Sequence, residues 1–240
     1  MKTAIIIPAR YGSSRLEGKP LIKVNGKPII QWVYEKALQV KSADMIIVAT
    51  DDERIYDCVK SFGGVVEMTS TEHKCGSDRI REVVDRHPEI GFVVNLQGDE
   101  PMIKPESVEE VIKNVKFDDN ADISTLIRKI EDEDEINNPN LVKCVTDVNG
   151  YALYFSRSKI PYERKLGIAT FYGHLGIYGY KREALIKMTE LAQTPLEKTE
   201  SLEQLRALEN GMKIKTSVVD FVPVGIDTAE DLEKFRELVG

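Results

Sequence analysis

One stretch of thirteen residues, Pro8-Ala9-Arg10-Tyr11-Gly12-Ser13-Ser14-Arg15-Leu16-Glu17-Gly18-Lys19-Pro20, brings together three cations and two glycines. Arginine offers bidentate hydrogen bonds, lysine a point charge, and glycine lets the backbone approach an anion, which together suit a triphosphate. The stretch is not a Walker loop, because five residues separate Gly12 from Gly18 and Pro20 stands where Ser or Thr would follow the lysine. Nor is it GxGxxG, so kinase and dehydrogenase chemistry lose ground. The alternative is a solvated glycine-rich turn with incidental charges.

Asn95-Leu96-Gln97-Gly98-Asp99-Glu100-Pro101 sets Asp99 just past an apolar run. A carboxylate in such a turn can hold Mg²⁺, a hard cation that takes one or two carboxylates plus substrate phosphates, or can simply shape the turn. Glu100 is a second ligand or a strand terminator. Far along the chain, Gly225-Ile226-Asp227-Thr228 precedes a helical pattern that Asp227 or Thr228 can cap. If Asp99 and Asp227 meet, two carboxylates and a metal make a phosphoryl-transfer centre.

Three further groups carry possible chemistry. In His73-Lys74-Cys75-Gly76-Ser77-Asp78-Arg79, Ser77 or Asp78 can cap the next helix, while exposed amides, a hydroxyl and Arg79 can read a base or hold a phosphate. His174 and Tyr178 lie four apart in a strand pattern and so share a face. Arg157, Glu203 and Gln204 read equally well as ordinary surface or helix residues.

These residues need a scaffold. Ala4 to Ile7, Met45 to Ala49 and Phe92 to Leu96 are apolar runs of the kind buried on both faces of a parallel sheet. Between them come helical patterns: Ile29, Trp32, Val33, Ala37 and Val40 share a face after Pro28, Asp52 to Phe62 ends at Gly63-Gly64, and Asp78 to Arg86 stops before Pro88. The alternation predicts an α/β fold with an open, doubly wound sheet, whose ligands bind beyond the carboxyl ends of the strands. The loops after Ile7, Ala49 and Leu96 are where binding is expected. The second half predicts a mixed extension, with strands near 123–129, 141–146, 152–155, 171–180 and 213–219 and helices over 181–191, 199–209 and 229–238.

Length and composition agree with one undivided domain over residues 1–240. The net charge of −7 lacks the basic footprint of a nucleic-acid binder, although a few cations at one site still serve a small anion. Cys58, Cys75 and Cys144 form no CxxC pair and suit a reducing cytoplasm. No long apolar run reads as an export signal or a membrane span.

Taken together, the segments resemble the 3-deoxy-manno-octulosonate (Kdo) cytidylyltransferases along nearly the whole chain. The likeness is carried by Ile6 to Leu21, ATDDERI (Ala49 to Ile55), VNLQGDEPMI (Val94 to Ile103), YALYFSRSKIP (Tyr151 to Pro161), HLGIYGY (His174 to Tyr180), LEQLRALENG (Leu202 to Gly211) and GIDTAEDLE (Gly225 to Glu233). It implies a nucleotide-diphospho-sugar transferase-like fold, CTP and an acidic keto-sugar as substrates, Mg²⁺ as cofactor and a homodimer. It assigns Arg10, Ser13 and Lys19 to the CTP phosphates, Gly76, Ser77 and Arg79 to the nucleotide, and Gln97 to nucleotide or sugar. Asp99 and Asp227 match the metal carboxylates. Arg15, Arg157, His174, Tyr178, Glu203 and Gln204 match positions around the sugar.

Two departures bear on substrate. Cys75-Gly76-Ser77 replaces a usual Ser-Gly-Thr, keeping the hydroxyl at 77, and the loop between Pro161 and Phe171 is short. The resemblance favours Kdo, with 8-amino-Kdo or sialic acid as the alternative acceptor and a non-catalytic nucleotide-sugar sensor as a remote one.

Overall fold

The computed structural model describes residues 1–12, 16–222 and 225–240. Two compact units emerge: unit 1 is Met1–Glu109 with Pro223–Gly240, and unit 2 is Glu110–Val222.

Unit 1 is built on β1 (Lys2–Ala9). Ala4, Ile5, Ile6 and Ile7 are all fully buried, as a strand covered on both faces requires. Each isoleucine so buried stabilises the fold by about 1.5–3 kcal/mol. After β1 come a 3₁₀ turn (Lys19–Leu21), a small hairpin of β2 (Lys23–Val24) and β3 (Lys27–Pro28), and α1 (Ile29–Ala37). The chain continues through β4 (Met45–Thr50), α2 (Glu53–Ser61), β5 (Val66–Met68), α3 (Gly76–Arg86) and β6 (Ile90–Asn95). The strands lie in the order β6-β1-β4-β5, all parallel, with Ile5 opposite both Ile46 and Val94. Parallel strands put their carboxyl ends on one edge, so the loops after β1, β4 and β6 lie there together.

α4 (Pro105–Phe117), which no periodicity argument above singled out, leads into unit 2. There follow β7 (Ile123–Ile130), α5 (Glu133–Asn137), β8 (Lys143–Thr146), β9 (Ala152–Ser156), β10 (Phe171–Lys181), α6 (Arg182–Glu190), α7 (Pro195–Glu200), α8 (Gln204–Glu209) and β11 (Ile214–Val218). Here β11 runs parallel to β7 while β7, β10, β8 and β9 pair antiparallel in sequence, giving the mixed extension. The mixed α/β architecture expected from the sequence is present.

The helix predicted over 199–209 is two helices instead. Ser201 takes a left-handed conformation (φ 53°, ψ 51°), and the Leu202 amide turns back to the Glu197 carbonyl. That ends α7 as an αL cap would, and α8 starts afresh.

The C-terminal helix, α9 (Ala229–Val239), closes unit 1. Leu232 and Phe235 pack with Val24, Ile29 and Ile226 in one buried cluster, and Trp32 meets the Phe235 ring edge-on with centroids 5.7 Å apart. No helix among the described residues is long and apolar enough to cross a membrane.

Candidate active site

In unit 1 a cavity of about 440 Å³ opens at the carboxyl ends of β1 and β6, with Arg10, Lys19, Gly76, Arg79, Gln97 and Asp99 in its wall. A Cβ on Gly98 would come within 3.0 Å of the Pro8 carbonyl, so the absence of a side chain lets the loop after β6 close against the end of β1. Gln97 donates to the buried Asn95 side chain (2.9 Å).

Two segments far apart in sequence put their acidic residues together. The Ile226 amide donates to the Asp99 carbonyl (2.9 Å), and the Ile226 side chain is fully buried in the cluster under α9. Asp227 therefore stands next to Asp99. The first turn of α9 fixes it further: Thr228, not Asp227, is the N-cap, in a capping box with Asp231, whose carboxylate also accepts from the Asp227 amide. Lys19 joins the two, its Nζ donating to Asp99 Oδ2 at 2.6 Å and to Asp227 Oδ1 at 3.1 Å.

Glu100 adds a third carboxylate. Its Oε2 is buried with no hydrogen-bond partner, and burial, then the charges of Asp99 and Asp227, push its pKa up to about 7 against the pull of Lys19. Among the described residues no three metal-ligating side chains converge, so the available hard donors are the pair Asp99 and Asp227.

The anion loop is clasped from outside. Gly18 sits at φ +64° with its amide bonded to the Tyr11 carbonyl, and a Cβ there would fall 3.0 Å from the Tyr11 ring. Arg54 lies over the other part of that ring, 3.3 Å from its centroid, and is itself tied to Asp52. Arg10 is exposed at the cavity lip. Ser13 and Arg15 lie outside the described residues.

At the start of α3 the N-cap is Cys75, whose side chain makes no capping hydrogen bond, correcting the expected cap at Ser77 or Asp78; Ser77 is the second residue of the helix and is buried. Arg79 is 1% exposed, and its guanidinium bonds Asp51 (2.6 Å) and Thr69. Committed to those partners at the end of β4, Arg79 shapes the cavity wall. Asp51, Thr69 and the Tyr11–Arg54 contact were not singled out from the sequence, although Asp51 and Thr69 each lie one residue past a strand.

The remaining expected residues belong to unit 2. His174 and Tyr178 do share a face of β10, with ring centroids 5.4 Å apart, although the pairing with β7 slips between Leu175 and Tyr178. His174 Nε2 meets Thr125 Oγ1 at 2.9 Å, and since that hydroxyl can give its proton to the Ile177 carbonyl (2.8 Å), the imidazole is the donor to it. Burial lowers the His174 pKa to about 3, so it is neutral at physiological pH, and burial raises that of Tyr178, with the Glu203 charge contributing.

Glu203 and Gln204 begin α8, Gln204 buried. Arg157 points into backbone oxygens, donating to Glu200 (2.7 Å), Pro139 (3.1 Å) and Ser201 (3.4 Å). It thus pins the bend between α7 and α8.

A pocket of phosphate-suited cations at the strand ends, with two carboxylates meeting beside it, suits a nucleotidyl-transferring α/β protein. Residues 4–214 match the cytidylyltransferase family model, and the chain belongs to that family. It is 51% identical to a 3-deoxy-manno-octulosonate cytidylyltransferase of Thermodesulfovibrio yellowstonii, over 97% of this chain and 96% of that one. The identity is 50% to the enzyme of the same name from Fusobacterium nucleatum, over 98% and 95%. A solved CMP:2-keto-3-deoxy-manno-octonic acid synthetase complexed with CTP superposes with a TM-score of 0.96 at 45% identity, covering 100% of this chain and 98% of that one.

Proposed function

We propose that this chain transfers the cytidylyl group of CTP to the anomeric hydroxyl of Kdo, forming CMP-Kdo and pyrophosphate for lipopolysaccharide biosynthesis. The observation that carries the reading is the meeting of Lys19, Asp99 and Asp227 beside a cavity that also presents Arg10, in a chain alike end to end to a synthetase that takes CTP.

The hydroxyl oxygen attacks the α-phosphorus in line, a new P–O bond forms, and the bond to the bridging oxygen of the β-phosphate breaks as the hydroxyl proton is lost. Arg10, Ser13 and Lys19 bind the phosphates; the two cations stabilise charge gathering on the leaving pyrophosphate without reorganising, which is where fixed cations act best. Gly76, Ser77 and Gln97 frame the nucleoside, with Arg79 holding that wall in shape through Asp51 and Thr69. His174, Tyr178, Glu203 and Gln204 recognise the sugar, and Arg157 holds the bend from which Glu203 and Gln204 start. Neutral His174 and Tyr178 serve as hydrogen-bonding groups for its hydroxyls, and no covalent enzyme intermediate is needed.

Asp99 and Asp227 suit Mg²⁺: both are hard oxygen donors, a cation already sits between them, and Mg²⁺ uses one or two carboxylates with substrate phosphates completing its shell. When bound, the ion supplies positive charge to the phosphates. The chain works in the cytoplasm as a homodimer, a reading supported by its three cysteines, none of them in a disulfide, and by the exposed apolar side chains of Tyr162, Leu166 and Ile168.

The test is pyrophosphate release from purified protein with CTP and Mg²⁺, comparing Kdo, 8-amino-Kdo and sialic acid. Release with Kdo upholds the reading; release with another sugar alone reassigns the acceptor, and CTP binding without release from any identifies a sensor.

A further inference from the structure

Lys19 faces two demands that one position of its ammonium cannot meet. As a phosphate ligand it must point at the nucleotide. In this structure it points at acid instead, bridging Asp99 at 2.6 Å and Asp227 at 3.1 Å with a side chain only 12% exposed. Around that ammonium stand three carboxylates, counting Glu100, whose buried Oε2 has no hydrogen-bond partner.

The backbone beneath the side chain is fixed. Gly18 is locked under Tyr11, the Leu21 amide returns to the Gly18 carbonyl (2.9 Å), and Pro20 is buried. The four-carbon stem is flexible, so the ammonium can move while the turn does not.

We propose that Lys19 is a tethered placeholder cation: it occupies the gap between Asp99 and Asp227 in the empty enzyme and leaves it when a triphosphate offers a better partner. This rests on the CTP-dependent reading above. A lysine inside the gap competes with any divalent ion for the same oxygens, and the tether makes it a strong competitor. Triphosphate binding pulls the ammonium away and frees the carboxylates, so nucleotide and metal load together. The placeholder also keeps two like charges from repelling one another before loading, as unpaired carboxylates at this spacing would.

The consequence has an uncommon sign, since removing a cation-site neighbour should strengthen metal binding. The experiment is a Mn²⁺ titration of nucleotide-free protein, with free Mn²⁺ followed by electron paramagnetic resonance. Lys19→Met should bind Mn²⁺ at least about fivefold more tightly than wild type, the lower end of ordinary coupling between sites. Lys19→Arg, which keeps the charge, should stay as weak as wild type, and Lys19→Met combined with Asp99→Asn should lose the gain. Lys19→Gln repeats the measurement should the methionine variant not fold.

Unchanged or weaker Mn²⁺ binding in Lys19→Met would overturn the proposal, because Lys19 would then be assembling the site rather than filling it. The titration contains neither CTP nor sugar. Absence of pyrophosphate release alongside a Mn²⁺ gain would therefore fault the substrate reading alone, and release without the gain would fault the placeholder alone.

Discussion

Unit 2 and unit 1 bury charge in opposite ways. Among the described residues of unit 2 each buried cation is held by at least two oxygens: Arg206 by Glu197 at 2.5 and 2.8 Å, Arg128 by Glu135 at 2.5 and 3.0 Å, Lys143 by the Asn138 and Leu141 carbonyls at 2.7 Å each. In unit 1 the pair Arg79 and Asp51 follows the same rule, but beside the cavity Asp99 and Asp227 meet at Lys19 with Glu100 close by, and one Glu100 oxygen goes unbonded. Satisfied polar networks make a rigid frame, and unsatisfied ones mark where a ligand completes the arrangement. Unit 2 thus carries its sugar-assigned residues among paired cations, whereas unit 1 sets three carboxylates close together beside its cavity.

The contrast breaks most plainly at Asp99. Asp99→Asn should lower turnover about a thousandfold at saturating CTP and Mg²⁺, measured by pyrophosphate release, with little change in folding, because a carboxylate needed only by the loaded site has been neutralised. Wild-type turnover would erase the difference between the units.

In unit 2 the cost should appear as stability. Glu197→Gln leaves the Arg206 guanidinium, 9% exposed, facing a neutral amide, and should cost about 3 kcal/mol in urea unfolding. Burial by itself would raise the Glu197 pKa; it is nonetheless lowered, because Arg206 bonds its charged form.

Glu100→Gln should do the reverse, raising the stability of the ligand-free protein by about 1 kcal/mol, since it removes a charge beside two like ones. A loss of stability there would mean that Glu100 is a paired group like those of unit 2.

The remaining contrast is a slope. The folded pKa of His174 lies below its ordinary 6.5, at about 3, so between those values the unfolded chain binds the extra proton and stability falls as the pH falls. Across pH 6.5 to 4, wild-type urea midpoints should therefore drop more steeply than those of His174→Gln.

Much of unit 1 was legible in the sequence because its signals are local and strong. A run such as Ile5-Ile6-Ile7 admits one reading, and glycines and cations just past it mark a strand-end anion loop. Family likeness paired Asp99 with Asp227, yet their meeting depends on Ile226 seating in a core cluster and bonding the Asp99 carbonyl, a long-range event that spacing does not encode. Partners were the hidden part. Arg79 and Arg157 look like ligand-binding cations in a string of letters, and only the fold supplies the Asp51 carboxylate and the backbone carbonyls that occupy them. α4 went unread although Val108, Val111, Ile112 and Val115 lie at helical spacing and are all buried, and the break at Ser201 went unread because a left-handed serine leaves no compositional trace.

Gly18 sets a limit on how this loop can be remodelled. A library meant to retune the enzyme toward another nucleoside triphosphate would naturally randomise the residues around Lys19. At position 18 nearly every member would be lost, because a methyl group there drives into the Tyr11 ring at a backbone angle that L-residues avoid. The productive diversity lies instead in the wall, at Gln97, where the side chain can change without moving the turn that aims the lysine.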